Sequence, residues 1–415
     1  MKFAALILAL VFLSSCAHNA PSGLAESGGP VVRFAAFNAY LNRPQEGGLV
    51  EDLKRADNIQ ARKVAEIIQR VAPDVLLLSE FDYDKDGEAL RLFRENYLER
   101  GQNGAAPAVY PYAYLAPSNA GVPSGHDLDR DGVVTTEPGM RTYGGDAFGY
   151  GAFPGQYAFV LLSKYPIEEN RVRTFQTFLW KDMPGAKLPD DVATPEPGDW
   201  YSDETLEVFR LSSKTHADIP VVIDGARVHV LASHPTPPSF DGEEDRNGKR
   251  NHDEIRLWAD YIEGADYLYD DKSEAGGLAA GERFVIMGDL NADPHDAGAV
   301  RGAIGQLLSS PFVADAPFPR SEGAAEQAAL QGGANKSHKG DPAEDTADFN
   351  DDLETGVGNL HLDYVLFSKA GLREESSGVF WPASDDPHYD LVGPGFPIES
   401  SDHRLVWRAL VIMED

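Results

Sequence analysis

Carboxylate, amide and imidazole side chains stand directly beside short apolar runs along this sequence of 415 residues. The residues concerned are Asn38, Glu80, His234, Asp289, Asn291, Asp402 and His403. Strand ends can converge on one rim of a sheet, where a rigid backbone holds a side chain that stays open to solvent and to a metal ion. Carboxylate oxygens suit hard cations such as Mg²⁺, and an imidazole can hold or move a proton near neutral pH. Gathered on one rim, these residues would perform metal-dependent hydrolysis.

Taken singly, each of these residues has an ordinary structural explanation. Strands commonly end in polar residues, Asp289-Leu290-Asn291 suits a turn, and a lone histidine is more often a hydrogen-bonded structural residue than a catalytic one. The chemical interpretation therefore depends on a fold that brings the residues together.

Short runs of β-branched and aliphatic residues, bounded by polar or turn residues, predict the buried strands that would position this chemistry. The runs are Val31 to Phe37, Val75 to Leu78, Tyr157 to Leu162, Val228 to Ala232, Phe284 to Met287, Leu362 to Phe367 and Leu405 to Val411. Apolar residues at helical spacing from Val64 to Val71 and from Ile255 to Ile262 predict two helices packed on a sheet.

The domain organisation follows from how these patterns are distributed. Length alone would suggest two domains, but strand and helix patterns alternate along the whole chain with no linker, which predicts one α/β domain. The segments Pro117 to Gly155, Trp180 to Asp203 and Ser310 to Gly358 are rich in Gly, Pro and acidic residues and lack a sustained period. They predict rim insertions, with local disorder around Glu322 to Ala347.

The first residues predict export. Lys2, the apolar run Ala4 to Leu13 and the small residues before Cys16 form a signal peptide over residues 1–16. Leu13-Ser14-Ser15-Cys16 resembles the lipobox of bacterial lipoproteins, in which the cysteine is acylated; the alternative is an ordinary signal peptide with an incidental cysteine. Residues 17–30 predict a flexible tether. We therefore expect an extracytoplasmic protein, anchored by lipid to a bacterial membrane, in the periplasm or at the cell surface.

Cysteine use and charge limit the function further. Cys16 is the only cysteine, which excludes an intramolecular disulfide, thiol catalysis and a cysteine zinc site. A net charge of −31 argues against electrostatic binding of nucleic acid or anionic lipid. It does not exclude a phosphate-bearing substrate, because a divalent metal can supply local positive charge. An acidic surface that only maintains solubility explains the charge equally well.

Five motifs give the strongest functional signal. They are Phe37-Asn38, Leu78-Ser79-Glu80, Gly288-Asp289-Leu290-Asn291-Ala292-Asp293, Leu362-Asp363-Tyr364-Val365-Leu366 and Ser401-Asp402-His403. In order and spacing they resemble the endonuclease/exonuclease/phosphatase superfamily, which includes apurinic endonucleases, pancreatic deoxyribonuclease, bacterial sphingomyelinases and inositol polyphosphate phosphatases. The resemblance implies that residues 31–415 form a four-layer sandwich, with two packed mixed β-sheets flanked by helices.

The same resemblance implies roles for individual residues. Glu80, with Asn38 nearby, would bind Mg²⁺ or Mn²⁺, and Asp402 would complete the metal or water shell. Asp289 would orient and deprotonate the attacking water. Asn291 would bind a phosphoryl oxygen or support the metal.

Two histidines complete the implied site. His403, steered by Asp363, would hydrogen-bond the phosphoryl group as negative charge builds on it. His234 matches a histidine that deoxyribonuclease-like and sphingomyelinase-like members place at the leaving oxygen, as a general acid. The implied reaction is in-line displacement at phosphorus without a covalent enzyme intermediate. Tyr40 stands where apurinic endonucleases have an acidic residue, which argues against abasic-site repair.

Two D-x-D-x-D-G segments match the first half of a calcium loop. Their carboxylates are Asp82, Asp84 and Asp86 in the first and Asp127, Asp129 and Asp131 in the second. Neither has Glu at the twelfth loop position, where Phe93 and Pro138 stand. Each segment is therefore either a calcium site or an ordinary acidic turn.

Two other polar segments, Ser212 to His216 and Arg250 to Glu254, could reach a substrate from insertions. Both have an alternative as surface or capping residues, and Asn251 or Asp253 before an amphipathic run suits a helix N-cap. The predicted catalytic set leaves both segments out.

Two classes of function compete. The first is a metal-dependent phosphodiesterase or phosphatase acting outside the cytoplasm on nucleic acid, a phospholipid headgroup or a small phosphoester. Charge disfavours nucleic acid, and the lack of an aromatic membrane hairpin disfavours a sphingomyelinase. The second is a catalytically silent binding or scaffold lipoprotein that keeps the fold. Loss of Glu80, Asp289, Asp402 or His403 would favour it, and all four are present.

Overall fold

The computed structural model describes residues 29–296, 300, 302–393 and 398–414. The predicted signal peptide, Cys16 and residues 17–28 of the predicted tether lie outside the described residues. None of the helices in these ranges combines the length and the apolar composition of a membrane-spanning segment. The first strand begins at Val31.

The strands and helices follow one another along the whole described chain. The strands are β1 Val31–Leu41, β2 Val75–Phe81, β3 Tyr112–Ala116, β4 Phe159–Ser163, β5 Arg173–Thr174, β6 His216–Ile223, β7 Ala226–Ser233, β8 Phe284–Asp289, β9 Ala347–Asp348, β10 Asn359–Leu360, β11 Asp363–Phe367, β12 Leu372–Val379 and β13 Val406–Ile412. The helices are α1 Gly48–Leu53, α2 Ile59–Val71, α3 Glu88–Phe93, α4 Asp203–Leu206, α5 Arg246–Ile262, α6 Gly305–Leu308 and α7 Glu322–Gln331.

Two mixed β-sheets form the centre of the domain. One has six strands in the order β12-β13-β1-β2-β4-β3, and the other has five in the order β11-β8-β7-β6-β5. The pairs β1–β2 and β7–β8 are parallel, whereas the remaining pairs within these sheets are antiparallel. Because β1 also contacts β8 and β11, the sheets pack face to face, as the fold prediction states.

Side-chain alternation along β8 shows how the layers are made. Val285 and Met287 belong to the hydrophobic core between the sheets, whereas Ile286 packs with Trp258 of α5 on the other face. Helix α2 adds Ile68 to the core of the six-stranded sheet. Alternate residues of a strand face opposite sides of a sheet, so each sheet buries one face against the other and one against helices.

The topology brings the predicted site residues to one rim. β1 and β2 run in the same direction with Asn38 beside Ser79, so Glu80 follows at the same end. β7 and β8 are also parallel and end together at Ser233 and Asp289. β11 and β13 are antiparallel to their neighbours, so it is their first residues that lie at this rim.

The strand and helix predictions are confirmed, and the differences have physical causes. β6 and β12 escaped prediction because Pro220 interrupts the first and Leu372–Val379 is largely polar. β12 is an edge strand, where polar residues face solvent. The expectation of local disorder around Glu322 to Ala347 is wrong, because Glu322–Gln331 forms α7. Ser321 caps this helix by accepting a hydrogen bond from the Gly323 N–H.

We expect Leu77→Ala to lower the free energy of unfolding by about 2–5 kcal/mol, because the substitution leaves a cavity in a close-packed core. Leu77 is fully buried in β2. The matched control is Leu330→Ala, which removes the same atoms from a side chain that is 66% exposed and should change stability by less than about 0.5 kcal/mol. Urea unfolding measures both variants, and equal effects would contradict this account of the core.

Candidate active site

His403 lies between two carboxylates at the rim. Its Nδ1 is 2.8 Å from Asp363 Oδ2, and its Nε2 is 3.6 Å from Asp289 Oδ2. All three side chains are buried. Their ligand atoms lie within 4.8 Å of one another, a spacing that could also hold a cation. The Nδ1–Asp363 contact favours a hydrogen-bonded pair, because a carboxylate acceptor fixes which imidazole nitrogen carries the proton.

Thr346 holds Asp363 in place. Its hydroxyl donates to Asp363 Oδ2 at 2.8 Å and accepts the backbone N–H groups of Leu362 and Asp363 at 3.0 and 2.9 Å. Its carbonyl accepts the Arg404 N–H at 2.7 Å, next to His403. Thr346 lies within the irregular segment Ser310 to Gly358, where no local pattern in the sequence marks it as a functional residue.

Asn38 links the two sheets at the site. Its side-chain nitrogen donates to Glu80 Oε1 and to Asp289 Oδ2, each at 3.1 Å. Its oxygen accepts the Tyr40 N–H, where positive φ and a register shift interrupt β1. The amide nitrogen therefore faces the carboxylates, and a role for Asn38 as a metal ligand would require the amide to rotate by half a turn. Asn42, which the sequence analysis did not select, donates to Glu80 Oε2 at 2.7 Å.

Glu80 and Asp402 are two interacting carboxylates of the rim that a cation would stabilise. Burial, together with the negative charge of Asp402, raises the pKa of Glu80 to about 7. One carboxylate oxygen of Asp402 is buried without a hydrogen-bond partner. A divalent cation would neutralise both carboxylates and satisfy that oxygen, and hard oxygen donors suit Mg²⁺ and Mn²⁺. The residues present therefore fit the predicted metal.

Both carboxylate oxygens of Asp289 have polar neighbours. Asn291 donates its backbone N–H to Asp289 Oδ1 at 3.0 Å, and His234 Nε2 lies 3.4 Å from Oδ2. A Cβ atom on Gly288 would lie 2.0 Å from the Ser233 carbonyl oxygen, so β8 approaches β7 closely only because that residue is glycine. Asp289 is thus held rigidly, with both histidines facing one of its oxygens.

The two histidines differ in charge. Burial lowers the pKa of His403, but the negative charges of Asp363 and Asp289 more than offset this and raise it well above the usual value. Burial, with the positive charge of Lys214 nearby, lowers the pKa of His234 well below the usual value. Burial also raises the pKa of Asp363 to about 6, against the opposing effect of His403. At neutral pH His403 is therefore cationic and His234 neutral.

Asn291 is positioned by contacts across the fold. Its side chain donates to the Pro235 carbonyl at 3.1 Å. The side chain of Asn251 donates to the carbonyls of Leu290 and Asn291 at 3.0 and 3.3 Å. The prediction that Asn251 or Asp253 is a helix N-cap is wrong, because α5 begins at Arg246 and both lie inside it. Asn251 instead supports the strand end that carries the site.

The first acidic loop serves local structure. Asp82 accepts the backbone N–H groups of Arg43 and Tyr157 at 2.7 and 3.3 Å. Asp84 caps α3 by accepting the N–H groups of Glu88 and Ala89 at 2.7 and 3.0 Å. Across the described ranges, no three ligand groups of this loop come together as a metal-binding cluster, and Asp86 is exposed.

The second loop differs. Asp127 and Asp129 lie within 4.8 Å of Asp146, a carboxylate outside the D-x-D-x-D-G motif, whereas Asp131 is exposed and outside the cluster. Asp146 also accepts the Leu128 and Thr135 N–H groups at 2.8 and 2.7 Å. Calcium at either loop stays a prediction, and the second loop has the more compact arrangement.

The chain matches the sequence model of a known protein family and resembles solved structures. The model of the Endonuclease/Exonuclease/phosphatase family matches residues 35–403. No curated protein matches the sequence. An endonuclease/exonuclease/phosphatase structure from Beutenbergia cavernae DSM 12333 is 15% identical, with a TM-score of 0.48, over 92% of this chain and 72% of that one.

Two further solved structures show the same remote similarity. Sphingomyelinase C from Streptomyces griseocarneus is 16% identical, with a TM-score of 0.43, over 92% of this chain and 99% of its own. A beta toxin variant from Staphylococcus aureus with bound magnesium ions is 13% identical, with a TM-score of 0.41, over 92% and 99% of the respective chains.

Chelation tests the calcium prediction. With Mg²⁺ held constant, EGTA should lower the melting temperature, because an ion bound only to the native state stabilises it by mass action. Asp129→Asn should abolish the response. Asp84→Asn in the first loop is the control, because both carboxylate oxygens of Asp84 already accept N–H groups of α3, and the variant should keep the EGTA response of the second loop. A wild-type melting curve unchanged by EGTA would identify both loops as ordinary acidic turns.

Proposed function

Because the chain belongs to the endonuclease/exonuclease/phosphatase family of metal-dependent phosphoester hydrolases, we propose that it hydrolyses phosphate esters by in-line attack of water. The observation that carries the proposal is the buried chain of contacts from Asp363 through His403 to Asp289, beside the carboxylates of Glu80 and Asp402. It combines a proton acceptor, a cationic donor and a cation site on one rim.

Glu80 and Asp402 would hold Mg²⁺ or Mn²⁺, with Asn38 and Asn42 keeping the Glu80 carboxylate in position. A bound divalent cation supplies stabilisation of negative charge on phosphoryl and leaving oxygens. Amide donors on both Glu80 oxygens reduce the freedom of the carboxylate, so little rearrangement accompanies binding.

Asp289 is the group that orients and deprotonates water. Its Oδ1 is engaged by the Asn291 N–H, whereas Oδ2 faces Asn38 and both histidines. A carboxylate with one oxygen anchored can direct the other at a water molecule. Asn291 would place its side-chain amide beside a phosphoryl oxygen.

His403 donates a hydrogen bond to the phosphoryl group. Its Nδ1–H is committed to Asp363, which leaves Nε2–H for an oxygen on which negative charge grows. His234 is neutral, so it can hydrogen-bond the leaving oxygen through its single N–H. Service as a full general acid would require it to gain a proton first.

Charge, and not contacts with a substrate, supports the choice among the possible classes of substrate. A net charge of −31 disfavours long polyanions, and Tyr40, half exposed at the rim, occupies the position that is acidic in apurinic endonucleases. We therefore favour small or soluble phosphoesters over nucleic acid and phospholipid headgroups. Loss of Glu80, Asp289, Asp402 or His403 would favour the rival function, a catalytically silent scaffold, and all four are present.

We also propose that the protein works outside the cytoplasm, attached to a bacterial membrane through Cys16. The support is the sequence of residues 1–16 alone. The cysteine is a lipid attachment point, and the remaining domain needs no other membrane contact.

Asp289→Asn should reduce turnover by at least about a hundredfold, because it removes the proton acceptor. Thermal stability should hardly change, since the amide oxygen can still accept the Asn291 N–H and Asn38 keeps Glu80 as an acceptor. The assay follows bis-p-nitrophenyl phosphate and p-nitrophenyl phosphate with Mg²⁺, Mn²⁺ or Ca²⁺, before and after chelation. Asp266→Asn, at an exposed position outside the five motifs, is the control. Intact hydrolysis in Asp289→Asn would show that this rim is not the active site.

Glu80→Gln should behave differently from Asp289→Asn. Its loss of activity should be partly rescued by raising the metal concentration, because the residue binds the ion and does not move the proton. The measurement is activity against metal concentration for both variants. Rescue of Asp289→Asn but not of Glu80→Gln would reverse the two assignments.

Cys16→Ala should release the protein from the membrane into the soluble extracytoplasmic fraction, because acylation at that residue is the proposed anchor. Fractionation with a high-salt wash, followed by immunoblotting, measures the distribution. Retention of the variant in the membrane pellet would contradict the lipoprotein proposal.

A further inference from the structure

Lys214 is a buried cation whose charge has no close partner. Lys214 comes shortly before β6 in the chain, and it is only 8% exposed. The one hydrogen bond of its ammonium is a long contact of 3.5 Å to the Pro235 carbonyl. In the part of the chain that the structure describes, no carboxylate lies within the 4.0 Å of an ion pair.

Such an arrangement is costly without a ligand. An ammonium has three N–H donors, and burying a charge is unfavourable unless it is paired and hydrogen-bonded. Burial lowers the pKa of Lys214, although the negative charges of Glu254, Glu80 and Asp289 oppose the shift. An anionic ligand would satisfy the free donors and keep the ammonium charged.

Glu254, whose negative charge acts on Lys214, makes its own hydrogen bonds to other groups. This carboxylate of α5 is fully buried, and its Oε1 accepts the Ser213 N–H and hydroxyl at 2.6 and 2.9 Å. Its Oε2 accepts the Thr236 N–H at 2.6 Å. Glu254 thus joins the segments before β6 and after β7, and both its oxygens are engaged. These contacts fix the residue before Lys214, and the Lys214 carbonyl accepts the Asn119 N–H at 2.8 Å, so the backbone is held while the ammonium remains available.

The ammonium lies beside the proposed phosphoryl site. The Pro235 carbonyl that Lys214 contacts also accepts the side-chain amide of Asn291 at 3.1 Å. His234 immediately precedes Pro235 and faces Asp289. The cation is therefore a neighbour of the amide assigned to a phosphoryl oxygen, on a rim otherwise rich in carboxylates that would repel an anion.

We propose that the Lys214 ammonium binds a nonbridging oxygen of the phosphoryl group, next to the side-chain amide of Asn291. This inference rests on the proposed function and extends it, because it makes an anionic phosphoryl group the recognised part of the substrate. Charge-assisted hydrogen bonds to oxygen anions are stronger than neutral ones. Lys214 supplies this charge from the protein itself, independently of any metal.

Binding of inorganic phosphate tests the inference directly. Isothermal titration calorimetry is run on the full chain with Mg²⁺ present, for wild type, Lys214→Met and Lys369→Met. Lys369 is an exposed lysine beyond the far end of β11, which makes it a matched control. Lys214→Met should weaken phosphate binding by about tenfold to a hundredfold, the scale of one hydrogen bond to a charged group. Lys369→Met should bind like the wild type.

A second variant distinguishes weaker phosphate binding from a folding defect. If Lys214→Met melts well below the control, Lys214→Gln takes its place, since it keeps a donor but removes the charge, and the same loss is expected. Wild-type affinity for phosphate in either folded variant would overturn the inference. Undetectable phosphate binding by the wild type would also overturn it.

The outcome is separable from that of the proposed function. If phosphate binding depends on Lys214 but neither nitrophenyl ester is hydrolysed by the wild type, the Lys214 inference stands and the hydrolase proposal fails. If the wild type hydrolyses the esters and Lys214→Met keeps both its kcat/KM and its phosphate affinity, the hydrolase proposal stands and the Lys214 inference fails.

Discussion

Antiparallel pairing of β8 and β11 sets Asp289 directly opposite Asp363, and His403 contacts both carboxylates. The two acids continue the strand face that carries Met287 and Val365 into the core between the sheets. A slip of one residue would turn either carboxylate to the opposite face, where α5 packs. The buried apolar residues of the same strands oppose such a slip, so the hydrophobic core fixes the geometry of the acids.

Several carboxylates lie close together at one rim, and their mutual repulsion affects the pKa values of the site residues. Glu80 carries a pKa raised to about 7, chiefly by burial and then by Asp402. Amide donors from Asn38 and Asn42 offset part of this repulsion, and a bound cation would offset more. The same crowding makes His403 cationic. The negative charges of Asp402 and Asp289 thus act on both groups, because they add to the burial that raises the pKa of Glu80 and help to raise the pKa of His403.

Segments far from the motifs complete the rim. Thr346 reaches Asp363 from a long insertion, and Glu254 inside α5 joins the segments that carry Lys214 and His234. Both act through buried hydrogen bonds, which are costly to leave unmade. Packing of the insertions and of α5 thus sets side-chain positions in the site, although neither segment carries a family motif.

The sequence by itself determined the strands β1, β2, β4, β7, β8, β11 and β13, the α/β class and the residues of the five motifs, because strand periodicity and motif order are local patterns. It also identified Asp289 and His403 as candidates for chemistry. Only the tertiary structure decided that Asn38 turns its amide nitrogen toward the acids, that α7 is a helix, and that Thr346 supports Asp363. It likewise separated the two acidic loops, one given to backbone capping and one joined by Asp146. These outcomes depend on which distant segments meet, and hydrogen-bond partners across such distances leave no trace in local spacing or periodicity.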